Sequence, residues 1–362
     1  MPFRHKSGAD AAQMAKGGVN IEQQTREIIR DVRSGVFAPV YLLMGEEPFY
    51  PDMICDAIVE NAVEPESRDF DQFVFYGSDS DADAVITAAR GFSMFGGRVL
   101  VVLKEAQLFK DSELEKLALY CSQPLDSTVL VVYLHGASAD KRKSFYKSVQ
   151  KIGIVVDSPA VRDYEIAQWI QRYYQGRGLE IDPQAAALLG EYAGTDLCKI
   201  AVETDKLLKN LPEGTVSVGV GDIERNVGIS RQYSVFELTK ELSYRNSAAA
   251  VRIASGLAQS ARFLIPPAVS ALYTHFYRIL KYEALLIKGM PLSNEDKAKA
   301  LGVNPYFFRE YDAAVRNYPL PKVMAIISLL NDYDFKGKGG DVGADTPPDE
   351  IFVELIVKIL NI

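Results

Sequence analysis

The segment GEEP, residues 45–48, stands between an apolar run, VYLLM (40–44), and a helical pattern beginning near residue 50. A phosphate-binding loop occupies that position in a nucleotide-binding sheet. Its chemistry needs small residues so that backbone N–H groups converge, a Lys for the β- and γ-phosphates, and a Ser or Thr for Mg²⁺. This turn offers Gly45 alone, followed by Glu46 and Glu47, and no GK[ST] occurs anywhere in the chain. Two carboxylates at a helix N-terminus answer its dipole from within the protein and repel a triphosphate. The run RVLVVL (98–103) ends in Lys104 and Glu105, where an ATPase of this layout would hold metal-binding carboxylates. Gly45, Glu46 and Glu47 therefore read as a degenerate phosphate loop, and nucleotide hydrolysis is not expected.

Other chemistries find as little support. His5, His135 and His275 are scattered, without a second ligand at metal spacing, so no metal site and no cofactor is expected. No Ser/His/Asp or Cys/His set stands in a motif context. Cys55, Cys121 and Cys198 lie far apart, which suits a reducing compartment, and the cytoplasm is the expected location. A net charge of -8 speaks against a dedicated nucleic-acid binder. No apolar stretch approaches the roughly 18 residues that span a bilayer, so no membrane partner is expected. Binding, not catalysis, is the work left to explain.

The elements that would position such a surface follow from periodicity. NIEQQTREIIRDVRS (20–34) reads as a helix capped by Asn20. VYLLM, FVFY (73–76), RVLVVL, TVLVVYL (128–134) and IVV (154–156) read as buried strands, separated by helical stretches at 50–62, 80–91, 111–121 and 140–151. Five such strands predict an open parallel sheet with helices on both faces. After Ser158-Pro159 the pattern turns helical, with helices expected at 163–175, 183–193 and 196–210 and then long periodic segments from about 230. The expected organisation is a disordered lead-in (1–19), an α/β domain (20–158), a small helical domain (159–229) and a larger helical domain (230–362).

FSMFGG, residues 92–97, places Met94 and Phe95 between Ser93 and two glycines, just ahead of the third strand. Both side chains could close the helix at 80–91 and pack beneath the sheet, as most Met and Phe do. Against that, Ser93 and Gly96-Gly97 are the punctuation of a tight excursion, on an edge of the domain from which a loop can project.

The opening VYLLMGEEPF, the segment GFSMFGGRVLVVLKEA and the stretch LVVYLHGASADKRKSFYKSV lie in an order and spacing that resemble the delta subunit of bacterial DNA polymerase III. IAQWIQRYYQGRGLEIDPQAAALLGEYAGTDLCKIAVETDKL continues the resemblance, which covers about residues 20–362 and loosens beyond 230. It implies an AAA+-like sheet domain without a P-loop, a small helical lid and a C-terminal helical collar. It implies a non-catalytic subunit of the polymerase holoenzyme that binds the sliding clamp (beta) and opens its ring for loading onto primed DNA in replication. The implied partners are that clamp, the ATPase gamma/tau and delta prime subunits through the collar, and primed DNA indirectly. Met94 and Phe95 fall on the family's clamp-binding apolar pair, flanked by Phe92 and Ser93. That pair is commonly Leu-Phe, and Met94 is a mild departure, being unbranched and adaptable. The alternatives are an AAA+ or P-loop ATP-dependent enzyme and a helical scaffold with a decayed nucleotide domain.

Overall fold

The structure, a computed structural model, describes residues 20–94, 96–226, 230–259, 263–287, 289, 293–340 and 347–362. The chain divides into two compact units, the first closing at Ala160 and the second running from Val161 to Ile362. The break lies two residues from the expected end of the α/β domain.

In the first unit α1 (Ile21–Arg33) leads into β1 (Val40–Gly45), α2 (Phe49–Asn61), α3 (Arg68–Asp71), β2 (Gln72–Tyr76), α4 (Ala82–Ala89) and β3 (Val99–Lys104). It closes with α5 (Asp111–Ser122), β4 (Thr128–Tyr133), α6 (Ser144–Ile152) and β5 (Ile154–Ser158). Asn20 caps α1 as expected, its side chain accepting from the Glu22 N–H at 2.9 Å. All five strands are parallel, in the order β2-β3-β4-β1-β5. Each connection is a helical crossover, which parallel pairing demands.

Alternation along the strands sends side chains to opposite faces. Leu43, Leu100, Val102 and Val131 pack with Ile28 and Val32 of α1 and Ile54 and Ile58 of α2. Leu42, Val101, Leu103 and Val132 pack on the other face with Val85 of α4, Leu117 of α5 and Val149 of α6. One expectation fails at the edge. FVFY was expected to be buried, yet Phe73, Val74 and Tyr76 of β2 are 37%, 43% and 44% exposed. β2 pairs with β3 alone and ends the sheet, so its apolar side chains have a neighbouring strand on one side only.

The second unit contains α7 (Asp163–Gln175), β6 (Glu180–Ile181), α8 (Pro183–Ala193), α9 (Leu197–Asn210), β7 (Ser217–Val218) and α10 (Val220–Asn226). It continues through α11 (Ser230–Ser243), α12 (Ser247–Ala258), α13 (Ile265–Ile287), α14 (Asn294–Leu301), α15 (Phe308–Asn317), α16 (Leu320–Gly337) and α17 (Pro348–Asn361). The helical reading holds, with three additions. Helix α14 and the two-residue β6-β7 pairing were not anticipated, and α16 runs on to Gly337, into the KGKGGDVGADTPPD stretch (336–349), whose Gly, Pro and Asp content predicts a loop. No helix among the described residues is long and apolar enough to cross a membrane.

Candidate functional site

The two groups of candidate residues lie at opposite ends of the sheet. Gly45 closes β1, whereas residues 92–97 lead into the start of β3, and parallel strands place those positions at opposite edges.

At the Gly45 edge three of the backbone donors that could face a phosphate are engaged within the protein. Gly45 N–H donates to Ala137 O at 2.8 Å and Glu47 N–H to Ser158 O at 3.1 Å. Phe49 N–H donates to Glu47 Oε1 at 3.0 Å, so the buried Glu47 carboxylate occupies the N-terminal end of α2 itself. Gly45 has a φ of +125°, and a Cβ there would stand 2.1 Å from Ser158 O, so only glycine fits. Glu46 is exposed. Two strands along the sheet, Glu105 adopts a left-handed φ of 55° directly after β3, and Gly77 packs so tightly on it that a Cβ would lie 2.2 Å from Glu105 O. This edge is sealed by the protein's own groups.

The other edge is built to display side chains. Phe92 is 84% exposed and Met94 74% exposed. The turn that carries them is anchored from below by Asp71, the last residue of α3, which is only 2% exposed. Ser93 Oγ–H donates to Asp71 Oδ2 at 2.6 Å, and Met94 N–H donates to Asp71 Oδ1 at 3.1 Å. Gly97 N–H returns to Ser93 Oγ at 2.9 Å, and Gly96 turns the chain at φ +72°. A buried carboxylate holding two donors fixes the turn while Phe92 and Met94 stay outside. For Met94 the choice between core and display is thus settled as display. Phe95 lies outside the described residues. Asp71 was not singled out from the sequence, because 22 residues separate it from Ser93 and no local pattern links them.

In the second unit the fold assembles a Ser/His/Glu cluster that no motif announced. Ser243 Oγ stands 3.0 Å from His275 Nε2 and 3.4 Å from Glu310 Oε1, and donates to Thr239 O at 2.9 Å. Ser243 touches both partners, and no hydrogen bond joins His275 to Glu310 among the described residues, so the order of a nucleophilic triad is absent. Burial, with the nearby Arg278 charge, pushes the His275 pKa down to about 3, and burial pushes Glu310 up to about 7. No group of three or more His, Cys, Asp or Glu suited to a metal ion occurs among the described residues. Three consecutive basic residues of the first unit are ion-paired, Lys141 with Asp157 at 2.7 Å, Arg142 with Asp140 at 2.8 Å and Lys143 with Asp111 at 3.3 Å.

Residues 41–158, which carry both edges, match the family model described as DNA polymerase III, delta subunit. Over those residues the chain is similar to the DNA polymerase III delta-subunit family. The DNA polymerase III subunit delta of Bacillus subtilis is 22% identical over 87% of this chain and 92% of its own length. The solved structure of the DNA clamp loader delta protein of Bacillus subtilis shares the fold, with a TM-score of 0.63, 20% identity and coverage of 93% of this chain and all of that one. The Holliday junction branch migration motor RuvB of Thermotoga maritima superposes only distantly, with a TM-score of 0.35, 12% identity and coverage of 83% and 87%. Within the matched residues, Phe92 and Met94 are the most exposed large apolar side chains among the described residues.

Proposed function

We propose that this chain is a clamp-loader subunit without catalysis of its own, which binds the sliding clamp (beta) and holds its ring open. The observation that carries the proposal is Met94, displayed in water on a turn that the buried Asp71 fixes from beneath. A soluble domain that spends a buried carboxylate to hold an exposed Met has the makings of a two-residue hot spot. Phe92, Ser93, Met94 and Phe95 are its proposed contacts, the last being outside the described residues. Binding works by differential affinity: the apolar pair fits the opened ring interface better than the closed one and shifts the ring's equilibrium accordingly. The committed N–H groups at Gly45 and Glu47 and the carboxylate of Glu47 at α2 support a loop that no longer cradles a nucleotide.

On this reading residues 159–229 form a lid and 230–362 a collar that joins the ATPase gamma/tau and delta prime subunits, which time the exposure of the turn. Contact with primed DNA would come through that assembly, in the cytoplasm. The test is clamp affinity of the Met94→Ala, Phe95→Ala double variant, with its fold checked by thermal melting. Undiminished affinity in a folded variant overturns the assignment. Equilibrium dialysis with labelled ATP tests the other edge, with no binding by the isolated chain as the expected result.

A further inference from the structure

Helices α8, α11, α13 and α15 surround a cavity of about 330 Å³ in the second unit, well away in sequence from the turn at 92–97. Three phenylalanines, Phe236, Phe263 and Phe307, give it aromatic walls. It opens past Leu264, Ala271 and Thr274, all of which are exposed. Its volume sits at the lower end of small-ligand pockets, which are mostly apolar with a few convergent polar groups.

The polar groups inside are unequally satisfied. Arg278 is paired with Glu191 at 3.4 Å and also donates to Gly302 O at 3.3 Å, so its charge is spoken for. His275 is held by Ser243 and stays neutral. Glu310 is left with the poorest share. Its one hydrogen bond among the described residues is to Ser243 Oγ at 3.4 Å, a hydroxyl with a single proton and two shorter contacts, to Thr239 O and His275. No Lys, Arg or His lies within ion-pair distance of Glu310 among the described residues, although its residue is 7% exposed. A buried carboxylate without a donor of its own is costly, and a ligand that brings a positive donor relieves that cost.

We propose that this cavity is a binding site for a small organic cation, a primary amine whose apolar body packs on the phenylalanines and whose ammonium pairs with Glu310. An anion is disfavoured because Arg278 is already neutralised and Glu191 and Glu310 both face the space. Aromatic faces add attraction for a cation.

The probe is 2-phenylethylamine, titrated calorimetrically into the full chain, with the isosteric neutral 2-phenylethanol as control. The amine is expected to bind about tenfold or more tightly than the alcohol, and Glu310→Gln to reduce amine affinity to the alcohol's level. Ala271→Trp, at the exposed rim, is expected to abolish binding of both without lowering the melting temperature. The groups facing Glu310 are Lys240 and Glu241 of α11, Glu191 of α8, His275 and Arg278 of α13, and its neighbour Tyr311. Of these, Glu310 is the one expected to release a proton on binding near pH 6 and none near pH 8.5, since the amine demands its ionised form. Failure of the wild-type chain to bind the amine at millimolar concentration, or equal binding by Glu310→Gln, overturns the proposal.

Discussion

Replacing Met94 by Ala separates a displayed side chain from a packed one. Full burial of a Met side chain is worth roughly 1.5–3 kcal/mol. Met94 is 74% exposed, so about a quarter of that, at most ~0.8 kcal/mol, stabilises the chain by itself. About 1–2 kcal/mol is left to be gained when a partner covers it, which corresponds to a roughly 5- to 30-fold loss of clamp affinity on truncation. The melting temperature should move little, because an exposed substitution usually stays within about 0.5 kcal/mol. Surface plasmon resonance of the full chain against the sliding clamp, beside a thermal melt of each variant, reads both quantities. A melting temperature that falls by many degrees with affinity unchanged would refute the reasoning, since it would place Met94 in the core and off the interface.

Asp71→Ala should weaken clamp binding about as much as Met94→Ala while costing a further ~1–2 kcal/mol of stability, because two hydrogen bonds to the turn are lost; adding Met94→Ala to it should then cost less than it does alone, which a double-mutant cycle measures. Gly45→Ala should destabilise the first unit by about 3 kcal/mol or more, since its Cβ would meet backbone Ser158 O at 2.1 Å and its φ is +125°, and denaturant unfolding reports the loss. Burial pushes the Glu310 pKa up to about 7 in the fold against about 4.3 in the unfolded chain, so the fold holds its proton more tightly and stability falls as pH rises between those values, by up to about 3.7 kcal/mol. His275, pushed down to about 3, works in the opposite sense, adding stability as pH rises from about 3 to about 6.5. Glu310→Gln should therefore melt above the wild type at pH 8 and alongside it near pH 4, and a constant difference across that range would contradict the burial of an ionisable carboxyl.

Much of the first unit was legible because its determinants are local. Runs such as VYLLM and RVLVVL hold their identity wherever they stand in the sheet, and Asn20 and Glu47 act on N–H groups two residues away. The lack of a GK[ST] motif is legible for the same reason, since a phosphate cradle is a contiguous motif. FVFY was misread because burial on both faces depends on strand order, and only the assembled sheet puts β2 at the edge with one partner. Whether Met94 lay inside or outside also escaped the sequence: Met in a Gly-bounded turn fits either, and the decision came from Asp71, brought under the turn across 23 residues. Ser243, His275 and Glu310 met across up to 67 residues, through helices whose facing sides are set by packing. By itself the sequence determined the five strands of the large sheet, most of the helices and the lack of a phosphate-binding motif, all functions of neighbouring residues. Only the tertiary structure decided which apolar side chains remain in water and which carboxylates go without a partner, because exposure and pairing belong to the packed chain and not to any stretch of it.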